Sequence, residues 1–282
     1  MLLNSLTLHT PRTLPEAARL FKELEDIKIL AGGTFLLNSL KLLKTKGTRT
    51  AKNILSLGQV DELKGISADA QGLTIKAMTT ITDIFESPLL TDNFQMIRTV
   101  CRNISTTPIR NMATFGGNLT CRYTWTEMPV TMIALDAQMY FLFPDGKTLS
   151  MSAEDFFKNN ARSEHLFTHA VIARDTQARL AYRRVRKMSD VDQPLLTVCV
   201  KTNLKDQQWA QTRAVVNNGT AFAQRDYQLE EFLNGKTSNP HLGQEAMNHL
   251  TTIIYDTRSN EYKQHMFRVC LRQAIEEICK FK

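Results

Sequence analysis

The chain has 282 residues, 43% of them apolar and 22% charged, which allows one large domain or two ordinary ones, each with a real core. Its longest mostly apolar stretch, residues 130–143, is broken by Thr131, Asp136 and Gln138 and is too short and too polar to span a bilayer. The first residues lack a basic start and an apolar run, so a cytoplasmic location is expected, and the formal charge of +7 fits anionic cofactors or acidic partners without a basic face built for nucleic acid.

In chain order, Thr13-Leu14-Pro15-Glu16 reads as a capping box with proline in the first turn. Ala17, Leu20, Phe21 and Leu24 follow at helical spacing. Residues 27–30 read as a buried strand that runs into Ala31-Gly32-Gly33-Thr34. Leu36, Leu37, Leu40 and Leu43 then recur on one helical face, and a further strand is expected near residues 53–57. Lys41, Lys44 and Lys46, with Arg49, close that helix, where cations complement its dipole.

A strand over 73–78 precedes a threonine-capped helix around 82–85, and a longer helix is expected over 94–104. Pro108-Ile109-Arg110-Asn111 leads to a second glycine turn at Gly116-Gly117, then a helix over 130–135 and strands around 138–143 and 147–151. Beyond residue 176 the character changes. Strands over 178–185, 195–202 and 211–217 come first, and helices fill most of 227–280. Strands followed by helices indicate a separate α+β domain, with a boundary near residue 176.

Gly32 and Gly33 between a strand and a helix admit unusual backbone angles and a close ligand approach. The N–H groups of Gly32, Gly33, Thr34 and Phe35 would then face outward at a helix start, as a diphosphate site requires. The second turn, Ala113-Thr114-Phe115-Gly116-Gly117-Asn118, is similar in kind, and two such turns would close on one diphosphate from two sides. Neither has the G-x-G-x-x-G spacing of a nicotinamide fold or the spacing of a P-loop. The five cysteines, Cys101, Cys121, Cys199, Cys270 and Cys279, include no C-x-x-C pair. Neither a disulfide framework, a zinc site nor an iron–sulfur cluster is expected on this chain. No histidine pair has metal-site spacing with a carboxylate partner, and no metal ligand is assigned.

Taken together these residues resemble the FAD-binding (medium) subunit of the molybdenum hydroxylases, the xanthine dehydrogenase and carbon monoxide dehydrogenase family. Ala31-Gly32-Gly33-Thr34 is similar to that family's N-terminal AGGT-type loop. The run from Ile109 to Asn118 resembles its I-R-N-x-A-T-[IV]-G-G-N segment, with Phe115 as the one departure. Glu127 stands nine residues on, where the family has an acidic residue that holds the FAD ribose, and Ile133-Ala134-Leu135-Asp136-Ala137 resembles its L-A-L-D-A ending. Tyr182-Arg183-Arg184 followed by Asp192-Gln193-Pro194, and Asp256-Thr257-Arg258-Ser259 with Tyr262-Lys263, resemble its C-terminal segments.

The resemblance implies an α+β fold. Residues 1–176 would form a two-subdomain FAD-binding domain of the vanillyl-alcohol-oxidase (PCMH) type. Residues 177–282 would form a small C-terminal antiparallel sheet plus helices of the carbon monoxide dehydrogenase flavoprotein type. It implies non-covalent FAD held by Leu30, Ala31, Gly32, Gly33, Thr34, Phe35, Leu36, Ala113, Thr114, Gly116, Gly117, Asn118 and Glu127, with Arg184 and Asp192 near the isoalloxazine ring. It also implies a molybdopterin-binding large subunit, a small subunit with two [2Fe–2S] clusters, and an acceptor such as NAD or a quinone. The flavin carries the chemistry, so no catalytic side chain is assigned.

Arg184 replaces the family's lysine, keeping charge but changing geometry, and two further departures from the family pattern stand out. Phe35 replaces a frequent aspartate, and Thr120-Cys121-Arg122-Tyr123-Thr124-Trp125-Thr126 replaces small residues and a proline. Arg122 is a candidate phosphate contact. The aromatics are candidates for stacking on a cofactor ring, or for a core or subunit contact. A flavin-free scaffold subunit is one alternative reading. A free-standing flavin oxidase is another, although His9, His165, His169, His241, His249 and His265 all lie outside both glycine turns.

Overall fold

The computed structural model describes residues 5–48, 51–121, 123–159, 165–188, 191–217, 222–256 and 260–280. Arg49, Arg122 and Thr257–Ser259 of the motifs above lie outside that set.

The first layer is a parallel sheet in the order β1 (Thr7–His9), β3 (Asn53–Ser56), β2 (Ile27–Leu30), crossed over by α1 (Leu14–Glu23) and α2 (Leu36–Thr45). Thr13 caps α1 by accepting the Glu16 N–H, but the Glu16 carboxylate reaches the Arg12 N–H, one residue earlier than the expected box. On α2 only Leu40 is fully buried, in a small core with Ala51 and Ile54. Leu37, expected on the apolar face, is 44% exposed.

The second layer is a five-stranded antiparallel sheet in the order β4 (Ile66–Ala68), β5 (Gly72–Lys76), β8 (Leu166–Ala173), β6 (Gln138–Leu142), β7 (Thr148–Ser152). Around it lie α3 (Ile81–Glu86), α4 (Gln95–Asn103), α5 (Thr107–Met112), α6 (Phe115–Thr120), α7 (Met128–Ala134) and α8 (Ala153–Lys158). Thr80, rather than Thr82, caps α3 in a full box with Asp83. Every residue of α7 is buried, because both halves of the molecule pack on it.

The C-terminal part is an antiparallel sheet of β9 (Ala178–Val185), β10 (Leu196–Lys205), β11 (Gln208–Asn217) and β12 (Gln224–Arg225). Helices α9 (Tyr227–Leu233), α10 (Leu242–Ala246), α11 (Thr252–Asp256) and α12 (Glu261–Cys279) follow. Side chains alternate across a strand. Ala181, Val198, Val200, Ala214 and Val216 accordingly pack with α12 and its neighbours, while Tyr182, Cys199 and Val215 enter the core of the first part. Residues 196–202 of β10 are therefore buried on both faces. Asp136, just past α7, pairs with Arg213 at 2.8 Å and with the buried Lys201 at 3.8 Å. The expected α+β class, with two subdomains and a C-terminal antiparallel sheet plus helices, is the observed one.

Candidate functional site

The chain leaves β2 through Ala31 and turns at Gly33, whose φ of +71° lies in the left-handed region that favours glycine. Among the described residues the N–H groups of Gly32, Gly33, Thr34 and Phe35 donate to no protein acceptor, and no side chain caps α2. Free amides at a helix start, reinforced by the helix dipole, attract an anion.

The second glycine pair differs from its expectation. It is not a turn beside a strand but the first turn of α6. Thr114 is the N-cap and accepts the Gly117 N–H at 3.2 Å. The Phe115 and Gly116 N–H groups donate to the carbonyls of Thr79 and Ala77, and Asn118 N–H donates to that of Thr114. The Phe115 and Gly116 amides dock α6 on the segment after β5, those of Gly117 and Asn118 close its first turn, and none of the four is offered to a ligand. A Cβ on Gly116 would stand 2.9 Å from the Ala77 oxygen. Arg110, in the same motif, donates to the carbonyls of Ile104 and Ser105 at 3.0 Å each and so pins a bend that borders the site.

The two glycine segments meet backbone to backbone. A Cβ on Gly32 would lie 1.9 Å from the Met112 carbonyl oxygen, and one on Gly117 would touch Ala31. A cavity of about 970 Å³ opens beside this contact. Of the residues expected to hold a cofactor, Ala31, Gly32, Gly33, Thr34, Phe35, Leu36, Ala113, Thr114, Gly116, Gly117, Asn118, Glu127 and Asp192 line it. Leu30 and Arg184 do not. Leu30 lies under the turn, its Cδ1 3.1 Å from where a Gly33 Cβ would be.

Arg184 sits behind the wall, 3.2 Å from the Glu127 carboxylate, and donates to the Asp192 carbonyl at 2.9 Å. Glu127 is only 3% exposed and occupies the N-cap position of α7. The Tyr182 hydroxyl donates to its second oxygen. Burial pushes the Glu127 carboxyl above its ordinary value, against the pull of Arg184 and the Tyr182 hydrogen bond. Burial likewise raises the Tyr182 hydroxyl well above its usual range. Asp192 accepts the N–H groups of Lys187 and Met188, and these bonds hold its carboxyl low. Asp192 thus has its own protein partners.

Sequence reasoning missed Tyr182 as a partner of Glu127, and it missed Met112 as the residue that makes Gly32 obligatory. Alternation along β9 places Tyr182 inward, but nothing local names its partner. His165 also reaches the wall, with its ring 4.1 Å from that of Phe143. The two departures noted above prove to be neighbours. Phe35 lies 4.2 Å from Tyr123 and 5.7 Å from Trp125, and Tyr123 and Trp125 stack at 5.3 Å. Among the described residues no group of three His, Cys, Asp or Glu side chains is placed to hold a metal ion, and no helix is long and apolar enough to cross a membrane.

Residues 4–174 match the FAD binding domain in molybdopterin dehydrogenase, and residues 180–278 match the CO dehydrogenase flavoprotein C-terminal domain. The chain is 24% identical over 274 residues to the glyceraldehyde dehydrogenase medium chain of Sulfolobus acidocaldarius, covering 94% of this chain and 95% of that one. It is 28% identical over 150 residues to the carbon monoxide dehydrogenase medium chain of Hydrogenophaga pseudoflava, covering 53% of this chain and 50% of that one. Its fold is similar to a chain in the solved carbon monoxide dehydrogenase of Hydrogenophaga pseudoflava, with a TM-score of 0.88, 23% identity, and coverage of 98% and 97%. The first of these matches spans more than half of the sequence: the chain belongs to the FAD-binding domain family of the molybdopterin dehydrogenases, and it is an oxidoreductase subunit with the C-terminal domain of the CO dehydrogenase flavoproteins.

Proposed function

We propose that FAD is held without a covalent bond in the cavity between the two glycine segments, and that this chain relays electrons within a larger complex. The observation that carries the reading is the row of unpartnered N–H groups at Gly32, Gly33, Thr34 and Phe35, four residues that line a cavity of about 970 Å³. That volume is at the top of the range of roughly 300–1,000 Å³ usual for small-molecule sites. The Asn118 side-chain oxygen on the same wall is buried and has no hydrogen-bond partner among the described residues, which also fits a polar ligand.

In this reading the 32–35 amides bind the diphosphate. Thr34, Ala113, Thr114, Gly116, Gly117 and Asn118 shape its seat, and Leu30 and Leu36 support it. Glu127 holds the ribose through whichever lone pairs Tyr182 and Arg184 leave open. Arg184 acts as a positioning residue, through Glu127 and Asp192. The bound flavin would accept electrons singly and pass them on as a pair. The protein's part is to bind, orient and set the local charge.

The partners proposed are a molybdopterin-binding large subunit, where the substrate would be hydroxylated, and a [2Fe–2S] small subunit that supplies electrons. NAD or a quinone would be the external acceptor, and the assembly would work in the cytoplasm. The domain boundary is proposed near residue 176, between β8 and β9. A flavin-free scaffold is disfavoured, because the bulky 123–125 stretch packs against Phe35 and leaves the cavity open.

A visible absorption spectrum of the purified chain, with the released cofactor identified by chromatography, tests the reading. Stoichiometric, releasable FAD that is lost in a Gly33→Val/Gly116→Val double variant is the expected result. A colourless chain that takes up no added FAD would overturn it.

A further inference from the structure

We infer that Phe35, Tyr123 and Trp125 form one aromatic wall that stacks against a flat ring of the bound dinucleotide. The inference rests on the FAD reading above and goes beyond it by assigning the ring contact to residues unlike those of the family pattern.

Three observations lead there. The three rings form a closed triangle with centroid distances of 4.2, 5.3 and 5.7 Å, although Phe35 lies far from the other two in sequence. All three line the cavity, and Tyr123 keeps 38% of its surface open. The third observation is placement. Phe35 supplies both one of the unpartnered amides and a ring of the wall. An anion on those amides therefore carries its attached ring system towards the aromatic triangle.

The triangle also explains why two separate departures from the family pattern occur in one chain. A phenylalanine at position 35 alone would expose a ring at the head of α2. With Tyr123 and Trp125 opposite, it becomes part of a surface that joins the first glycine loop to the segment leading into α7. The gap between Tyr123 and Trp125 is too narrow to admit another ring, so a ligand ring stacks on the cavity side of the triangle.

The test uses the full chain, stripped of cofactor and titrated with FAD, riboflavin and ADP. Trp209, the other tryptophan, is buried in the C-terminal core with its indole N–H donating to Ser238 and does not line the cavity, so its emission is common to every variant. Tyr123→Ala and Trp125→Ala are each expected to weaken FAD binding by about tenfold, within the range that removal of a stacked ring produces. Phe35→Leu, which keeps bulk but removes the ring, should act in the same direction. Trp125→Phe should bind FAD within about threefold of the parent, yet lose the FAD-dependent quenching of tryptophan emission.

If Tyr123→Ala weakens ADP but not riboflavin, the wall takes the adenine; the reverse assigns the isoalloxazine ring. Unchanged FAD affinity in both alanine variants, with quenching intact in Trp125→Phe, would overturn the inference while the FAD reading stands. A parent chain that binds no FAD would remove both. Thermal melting of each variant separates a lost contact from a lost fold.

Discussion

Replacing Gly32 with alanine tests whether the contact between the two glycine segments creates the site. Gly32 has no left-handed φ, so the destabilisation expected from alanine is steric. The new methyl would lie 1.9 Å from the Met112 oxygen and 2.7 Å from its carbonyl carbon, whereas a carbon–oxygen contact settles at about 3.3 Å. Met112 would have to retreat by about 1.4 Å. It ends α5, which Arg110 locks to Ile104 and Ser105, and the retreat therefore drags a braced segment. Overpacking of this kind costs about 1–3 kcal/mol. For a chain of this size that lowers Tm by roughly 2–5 °C. Separation of the loops also misplaces at least one amide on the diphosphate. Loss of a charge-assisted hydrogen bond, worth about 1.5–3 kcal/mol, weakens FAD by about 10- to 100-fold. Flavin fluorescence titration and circular-dichroism melting measure the two effects. Gly58→Ala is the control, since its methyl would meet only the Ser56 hydroxyl at 3.7 Å. If Gly32→Ala binds FAD as tightly as the Gly58→Ala control and melts with it, the close approach of the loops is not what builds the site.

Glu127 is held above its ordinary value of 4.5 by burial, so between that value and its folded value the native state binds more protons than the unfolded one. Stability contributed at this position therefore falls as pH rises through that window. Glu127→Gln should flatten the slope in urea titrations run from about pH 4 upward, and parallel profiles for the two proteins would refute the assignment. Arg184→Met leaves the Glu127 carboxylate buried without its cation and is expected to cost about 3–5 kcal/mol at neutral pH. Adding Glu127→Gln should recover more than half of that loss, and simple additivity of the two changes would count against the ion pair. Ile54→Ala empties part of the small core under α2, at about 2–5 kcal/mol. FAD affinity should fall with it, although Ile54 does not line the cavity, and an unchanged affinity would show that the first loop does not depend on that core.

Much of this molecule is legible in local pattern. Helical spacing after Thr13 and Gly33, and the runs at 27–30, 178–185 and 211–217, correspond to α1, α2, β2, β9 and β11. A period of 3.6 or 2 is a property of neighbours along the chain. Both glycine pairs were likewise visible, as were Phe35 and the bulky 120–126 stretch as anomalies. Local pattern failed where a residue's role depends on something distant. It read Gly116-Gly117 as a turn, because only the carbonyls of Ala77 and Thr79 make those amides the start of a docked helix. It did not show that the partner of Arg184, the buried Glu127 carboxylate, comes 57 positions earlier in the chain.

By itself, then, the sequence determined most of the helical and strand periods and the glycine loop between β2 and α2. Three matters were left to the tertiary structure: that Gly32 presses on Met112, that Tyr182 and Arg184 reach across from the second domain to grip Glu127, and that Phe35, Tyr123 and Trp125 become one surface. The physical reason is that a backbone carbonyl carries no side-chain signature, and the partner of a buried charge or ring is chosen by packing over distances that no local period encodes.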